Sequence, residues 1–439
     1  MPGLTGKLVI EDVSAFQTVK TSLSQPSALS VSLVAKKSAV LRAYVSASGE
    51  VEGRELTATF KLTNRDGVQE LPSTAIARAL TDRAASGIAT VQVPAEALQT
   101  DTTLSLMFRD SLTGELLATW PSGNAEAALR ATELRGVLEV VLVPIRYDAD
   151  GSSRLPDTSA AAIAAYRAGL MALYPTADVR LSVRRPLPFA AVVSRSGAGW
   201  GEVLSAIAQA RGTDRPADGA YYMGLVNPAV NNAMYCSSSC VAGLSTVVTR
   251  PEQSQGRTSI VVGFGGEGTT DSMAHELGHA HGREHAPCGV TNPDDSFPYA
   301  DGSVGVWGYD SRTRTLLAPS TTKDFMGYCN PTWISDYNYA ALATRMEAIE
   351  RRRTLRLATA KRESSELQSV DIVMLQPNGS FSRTGTTEIP SDQLTAMVLA
   401  RGAHGTKRLQ ASSFNLSEGQ ARLVYVAKLP PTISSLQFD

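Results

Sequence analysis

The chain has 439 residues, 43% of them hydrophobic and 19% charged, enough to bury real cores and, at about 150 residues per domain, too long for a single one. Lys plus Arg number 41 against 42 Asp plus Glu, which removes the electrostatic case for nucleic acid or an anionic membrane as the main partner. No apolar run approaches the roughly 20 residues that a membrane-spanning helix needs.

Residues 1–133 read as short strands: KLVIEDV, ALSVSLVA, AVLRAYVSA, ELTATFKLT, ATVQVPA and TLSLMFRD. Several alternate polar with apolar residues, and Gly, Pro, Asn, Asp and Ser separate them, the pattern of a β-sandwich. This part holds no His and no catalytic constellation, so it is expected to be a packing or recognition companion. The period then changes. LEVVLVPIRY (138–147) is nearly continuous in apolar residues, as in a strand buried on both faces. Thr158-Ser159 caps a helical AAAIAAYRAGLMALY. Strand ADVRLSV, helix GEVLSAIAQARG, and strands AYYMGLV, AGLSTVVT and SIVVGF follow, an α/β alternation. Residues 334–362 form a long helix capped at Ser335 or Asp336, whose basic run ERRRTLRLATAKR is a solvated face. The last part returns to strands, SVDIVMLQ, TAMVLA and ARLVYVAKL, around the turn Pro377-Asn378-Gly379. The expected organisation is multidomain: an all-β sandwich over 1–133, a central α/β domain over 134–365, and a small C-terminal β domain over 366–439.

The chemistry is concentrated in residues 271–285, DSMAHELGHAHGREH. The chain has five His, and four of them, His275, His279, His281 and His285, fall here. His275 and His279 are four apart, so on a helix both imidazoles project from one face and can bind one ion. Glu276 is placed beside that ion rather than on it. Gly282, three residues after His279, permits the positive φ of a sharp helix stop, which can bring His285 round as a third nitrogen ligand. Three protein ligands with one open position is the arrangement of a catalytic zinc, whereas structural zinc is closed by four. His281 has no place in that set and is expected to face solvent or to donate a hydrogen bond behind the ligands. His404 is expected to be a surface or core residue.

HELGHAHGREH resembles the extended zinc signature of the metzincin endopeptidases, and Asp324-Phe325-Met326-Gly327-Tyr328 downstream resembles their Met-turn. The resemblance covers residues 135–360 and implies one catalytic zinc on His275, His279 and His285, with Met326 as a hydrophobic floor beneath them. It also implies that Glu276 is the base that takes a proton from the attacking water and returns it to the leaving amine. Tyr328, two residues after the Met, would hydrogen-bond the tetrahedral intermediate. AGLSTVVT (242–249) would be the edge strand that an extended substrate joins by strand addition, and the 334–362 helix would close the domain.

Cys236, Cys240, Cys288 and Cys329 are the only cysteines, an even, clustered set that suits two disulfides and an oxidising compartment. Free buried thiols and a second, Cys-ligated zinc are the alternatives. The zinc site implied by the resemblance places Cys288 and Cys329 close together, so Cys288–Cys329 is the preferred bridge, leaving Cys236–Cys240 to close a small loop. No Cys precedes residue 236, so a cysteine-switch propeptide is excluded, while an Asp-based latch is left open. The first residues carry no secretory leader, and secretion is expected with a leader already removed. Asp294, Asp295, Asp301 and Asp310 raise calcium as a second cation, although their spacing fits no EF-hand and a solvated loop is the preferred reading. The expected activity is a secreted zinc endopeptidase acting on polypeptides, including glycoproteins as some secreted bacterial metzincins do. A silent adhesin or glycan-binding module on the same scaffold is the alternative.

Overall fold

A computed structural model describes residues 4–25, 31–78, 87–123, 125–134, 136–359 and 366–438. It is β-rich, built from several sheets with few helices. In the first part, strands Gly6–Gln17, Val19–Ser22, Ala39–Gly49 and Ile88–Val93 share one sheet, and Glu55–Asn64, Gly67–Ile76, Thr103–Asp110 and Leu116–Trp120 another. Alternate residues of Glu55–Asn64, namely Leu56, Ala58, Phe60 and Leu62, are buried, the period-2 signature of a strand with one face inward. They meet Val13, Leu41 and Val91 of the other sheet in one core. The expected strand ALSVSLVA does not form in its described part, where Val34 makes a single bridge to Thr132; residues 28–30 lie outside the described residues. The reason is local: the Gln17 side-chain amide donates to the Val34 carbonyl at 2.8 Å and accepts from the Val34 N–H at 2.5 Å. A partner strand would need those same groups.

In the central part, strands Val179–Val183, Leu138–Tyr147, Tyr221–Val226 and Thr258–Val262 lie side by side, all parallel. The sequence reads as continuous apolar runs because both faces are covered. Tyr221, Met223 and Leu225 point into a core shared with helices Ala160–Leu173 and Gly266–Ala280. Tyr222 and Val226 point into a second core shared with helix Trp200–Asp214 and C-terminal strands. Ser159 caps the first helix by accepting from the Ala162 N–H. The long helix runs Asp336–Thr359, with the Ser335 hydroxyl accepting from the Asn338 N–H; its expected end at 360–362 lies outside the described residues. Arg351 and Arg353 pair with Glu347 and Glu350 along it.

Two pairings join segments that sequence reading kept apart. Strands Gly308–Asp310 and Thr315–Leu317 add to the first sheet through Gly308 opposite Val19. Strand Gly243–Val247 is not a free edge: it runs antiparallel to Thr258–Val262 on one side and pairs with Gly405–Leu416 on the other. The expected edge at 242–249 is therefore covered over part of its length, and the C-terminal strands continue the central sheet. Among the described residues no helix is long and apolar enough to cross a membrane.

Candidate metal centre and its cleft

Helix Gly266–Ala280 carries His275 and His279, the first half-buried and the second buried. The His275 Nδ1 lies 2.7 Å from the Phe325 carbonyl oxygen, and the His279 Nδ1 lies 2.7 Å from the Arg283 carbonyl oxygen. A carbonyl oxygen only accepts, so each Nδ1 carries the ring proton and each Nε2 presents a lone pair. The helix stops at Gly282, whose φ is +87° and where a Cβ would stand 2.5 Å from the Val248 carbonyl oxygen. That turn returns His285, and the His279 Nε2 then lies 3.1 Å from the His275 Nε2 and 3.2 Å from the His285 Nε2. The three ligand atoms lie within 4.8 Å of one another.

At least two lone pairs thus face each other with no proton between them, an arrangement that repels unless a cation lies among the rings. Bonds of about 2.0–2.1 Å in tetrahedral geometry place ligand atoms about 3.3 Å apart, close to the two spacings that His279 makes. Burial holds all three imidazoles below the usual His range, His275 and His285 at about 4, so they are neutral and ready to ligate. The residues fit a metal ion.

The turn holding Met326 is fastened from both sides. Buried Asp324 accepts from the Met326 N–H, the Ser335 N–H and the Asn338 side-chain amide, each at 2.8 Å. Met326 is fully buried in the central core, and its carbonyl accepts from the Ala286 N–H next to His285. Disulfide Cys288–Cys329 ties the segment after His285 to this turn, and Cys236–Cys240 closes a small loop beside the cleft.

Glu276 is 5% exposed and its carboxyl is pushed well above the ordinary range, first by burial and then by the charge of Glu418. A Cβ at Gly243 would stand 2.3 Å from the Glu276 Oε1, so only glycine there leaves room for this side chain. Tyr328, 48% exposed, has its hydroxyl 3.1 Å from the His285 Nε2. A cleft of about 710 Å³ opens in front, lined by Gly243, Asp271, His275, Glu276, Tyr328 and Trp333.

The expectation for His281 fails here. His281 is neither solvent-facing nor behind the ligands: it is 1% exposed, its ring stacks on Tyr221 at 4.3 Å between centroids, and its Nδ1 donates to the Leu277 carbonyl. The helix places it on the face opposite the cleft, where the sheet covers it. His404 is exposed in the turn after strand Ala396–Gly402. Asp294, Asp301 and Asp310 pair with Arg283, Lys323 and Arg312, and among the described residues the three His form the one group of three or more able to hold a metal. Two residues that sequence reading did not single out, Ser417 and Glu418, face the site from the C-terminal strands, and no motif marks them.

Residues 248–342 match the family model described as Peptidase M66, a metallopeptidase family. The match spans the metal helix, His285, both cysteines of the longer disulfide and the Met326 turn. No curated protein matches the chain. The matched segment and the three-His group together support a metallopeptidase with a polypeptide substrate.

Proposed function

We propose that the protein is a secreted zinc-dependent endopeptidase of metzincin type, with His275, His279 and His285 holding one zinc ion and Glu276 as general base. The convergence of ring lone pairs beside a buried carboxylate, at the wall of a cleft, carries this reading. A zinc ion at the three His would polarise a peptide carbonyl and lower the pKa of a water at the site. Glu276 takes the proton of the attacking water and delivers it to the leaving amine. Its buried position favours that role, since a carboxylate in an apolar setting has a raised proton affinity. The Tyr328 hydroxyl donates to the oxygen that gains charge when the carbonyl is attacked. Met326 and the Phe325 carbonyl hold the floor and the His275 ring in place. The two disulfides support an oxidising, extracellular setting.

Glu276→Ala tests the reading directly. In a denatured proteome, mass-spectrometric mapping is expected to find new peptide ends made by wild type and none made by the variant, although both bind one zinc. Equal cleavage by the two would remove Glu276 from the mechanism. Repeating the digest with a mucin-type glycoprotein separates plain polypeptide from glycoprotein preference.

A further inference from the structure

The segment 415–418 pairs with the strand that the metzincin resemblance assigns to an extended substrate and reaches Glu276 and Tyr328. It runs antiparallel to strand Gly243–Val247, with Asn415 opposite Val247 and Leu416 opposite Thr246. The Ser417 N–H donates to the Ser245 carbonyl at 2.8 Å, and the Ser245 N–H donates to the Ser417 hydroxyl oxygen at 2.9 Å. Strand addition works by offering free backbone groups to an incoming chain, and here those of Ser245 to Val247 face an internal strand. A peptide cannot pair there while 415–417 does.

The same segment ends at the metal ligands. The Ser417 hydroxyl donates to the Glu276 carboxylate at 3.4 Å. Glu418 accepts a hydrogen bond from the Tyr328 hydroxyl, and its Oε1 lies 3.6 Å from the His285 Nε2. A carboxylate oxygen this close to the converging imidazole nitrogens is a further donor atom for a cation held among them. The bend at 417–420 then turns the chain away and divides the space over the three His. On one side lies the 710 Å³ cleft with His275, Glu276 and Tyr328. On the other lies a groove of about 1190 Å³ with His279, His285 and Asn415. An endopeptidase substrate needs one path through both.

We propose that 415–418 is an internal strap lying where substrate would pair, and that Glu418 closes the open fourth side of the three-His group as an internal metal ligand. The chain is then self-blocked as folded, and cleaves only when the strap lifts. This rests on the metallopeptidase reading above, and the test separates the two.

Full-length wild type, Glu418→Ala and Glu418→Gln are stripped of metal and titrated with zinc against a chromophoric chelator. Each is then assayed by mass-spectrometric mapping of a denatured proteome. Gln keeps an acceptor for the Tyr328 hydroxyl, so it removes the charge without releasing that ring. In both variants the zinc Kd is expected to rise about tenfold, and the cleavage rate at saturating zinc to rise on the order of tenfold as the blocked state is depopulated. An unchanged zinc Kd in both variants overturns the proposal. So does a shifted Kd when wild type cleaves measurably and neither variant cleaves faster, because Glu418 would then be no block. A shifted Kd with no cleavage by any of the three proteins leaves the strap standing and removes the peptidase reading instead.

Discussion

Single atoms decide most of what this site can do. The two carbonyls that hold the Nδ1 protons of His275 and His279 aim both Nε2 lone pairs at one point. The missing side chain at Gly243 makes room for the Glu276 carboxylate. Gly243→Ala should therefore move Glu276 and leave the three His alone. We expect zinc affinity by chelator competition to stay at the wild-type value while the peptide-cleavage rate falls about 100-fold, the effect of roughly an ångström of misplacement in a reacting group. A normal rate in that variant would mean Glu276 works from another position.

Among elements, one disulfide holds the Met326 turn to the segment after His285, and another closes a small loop beside the cleft. Cys288–Cys329 bridges a separation of 41 residues and Cys236–Cys240 one of 4. On loop-entropy grounds these restrain the unfolded chain by about 4 and about 2 kcal/mol respectively. Replacing both cysteines of the longer bridge by Ala is expected to lower unfolding stability in urea about 2 kcal/mol more than replacing the shorter pair. Equal losses would show that native-state effects, rather than loop length, govern both. The helix stop at Gly282 and the turn at Met326 were legible because each is a local pattern: four-residue spacing, a glycine, a short turn motif. The burial of His281 was not legible, because facing away from the cleft exposes a ring only if nothing covers the other side of the helix. Here Tyr221 of the sheet does.

Across the whole molecule, the first sheet grips the central part through groups that neither could satisfy alone. The Thr18 hydroxyl donates to the Ala172 carbonyl, the Trp333 indole to the Thr18 carbonyl, and the Tyr339 hydroxyl to the Gln17 carbonyl. Lys37 is buried there, its Nζ 2.7 Å from the Tyr174 carbonyl and 5.9 Å from the centre of the Tyr339 ring. Tyr174 in turn donates to the Ala274 carbonyl, next to His275. Burial lowers the Lys37 ammonium from its usual 10.5 to about 7. Between those values the unfolded chain holds the proton that the folded chain has released, so stability rises with pH across that window; below it both forms are protonated and the penalty is constant. Wild type is expected to gain about 2 kcal/mol over Lys37→Met between pH 7 and pH 9, read by urea unfolding of both proteins at each pH. A constant gap between the two would place Lys37 in contact with water.

By itself the sequence determined the three His of the site, the carboxylate beside them and about half of the strands, because helical spacing and strand alternation are written in neighbouring residues; strands such as Gly67–Ile76 and Gly405–Leu416 were not read from it. Only the tertiary structure decided what stands in front of them. Tyr328 meets Glu418 across 90 residues and Glu276 meets Ser417 across 141. Such contacts come from the register in which distant strands pair. That register is set by the packing of the whole sheet, and no local pattern encodes it.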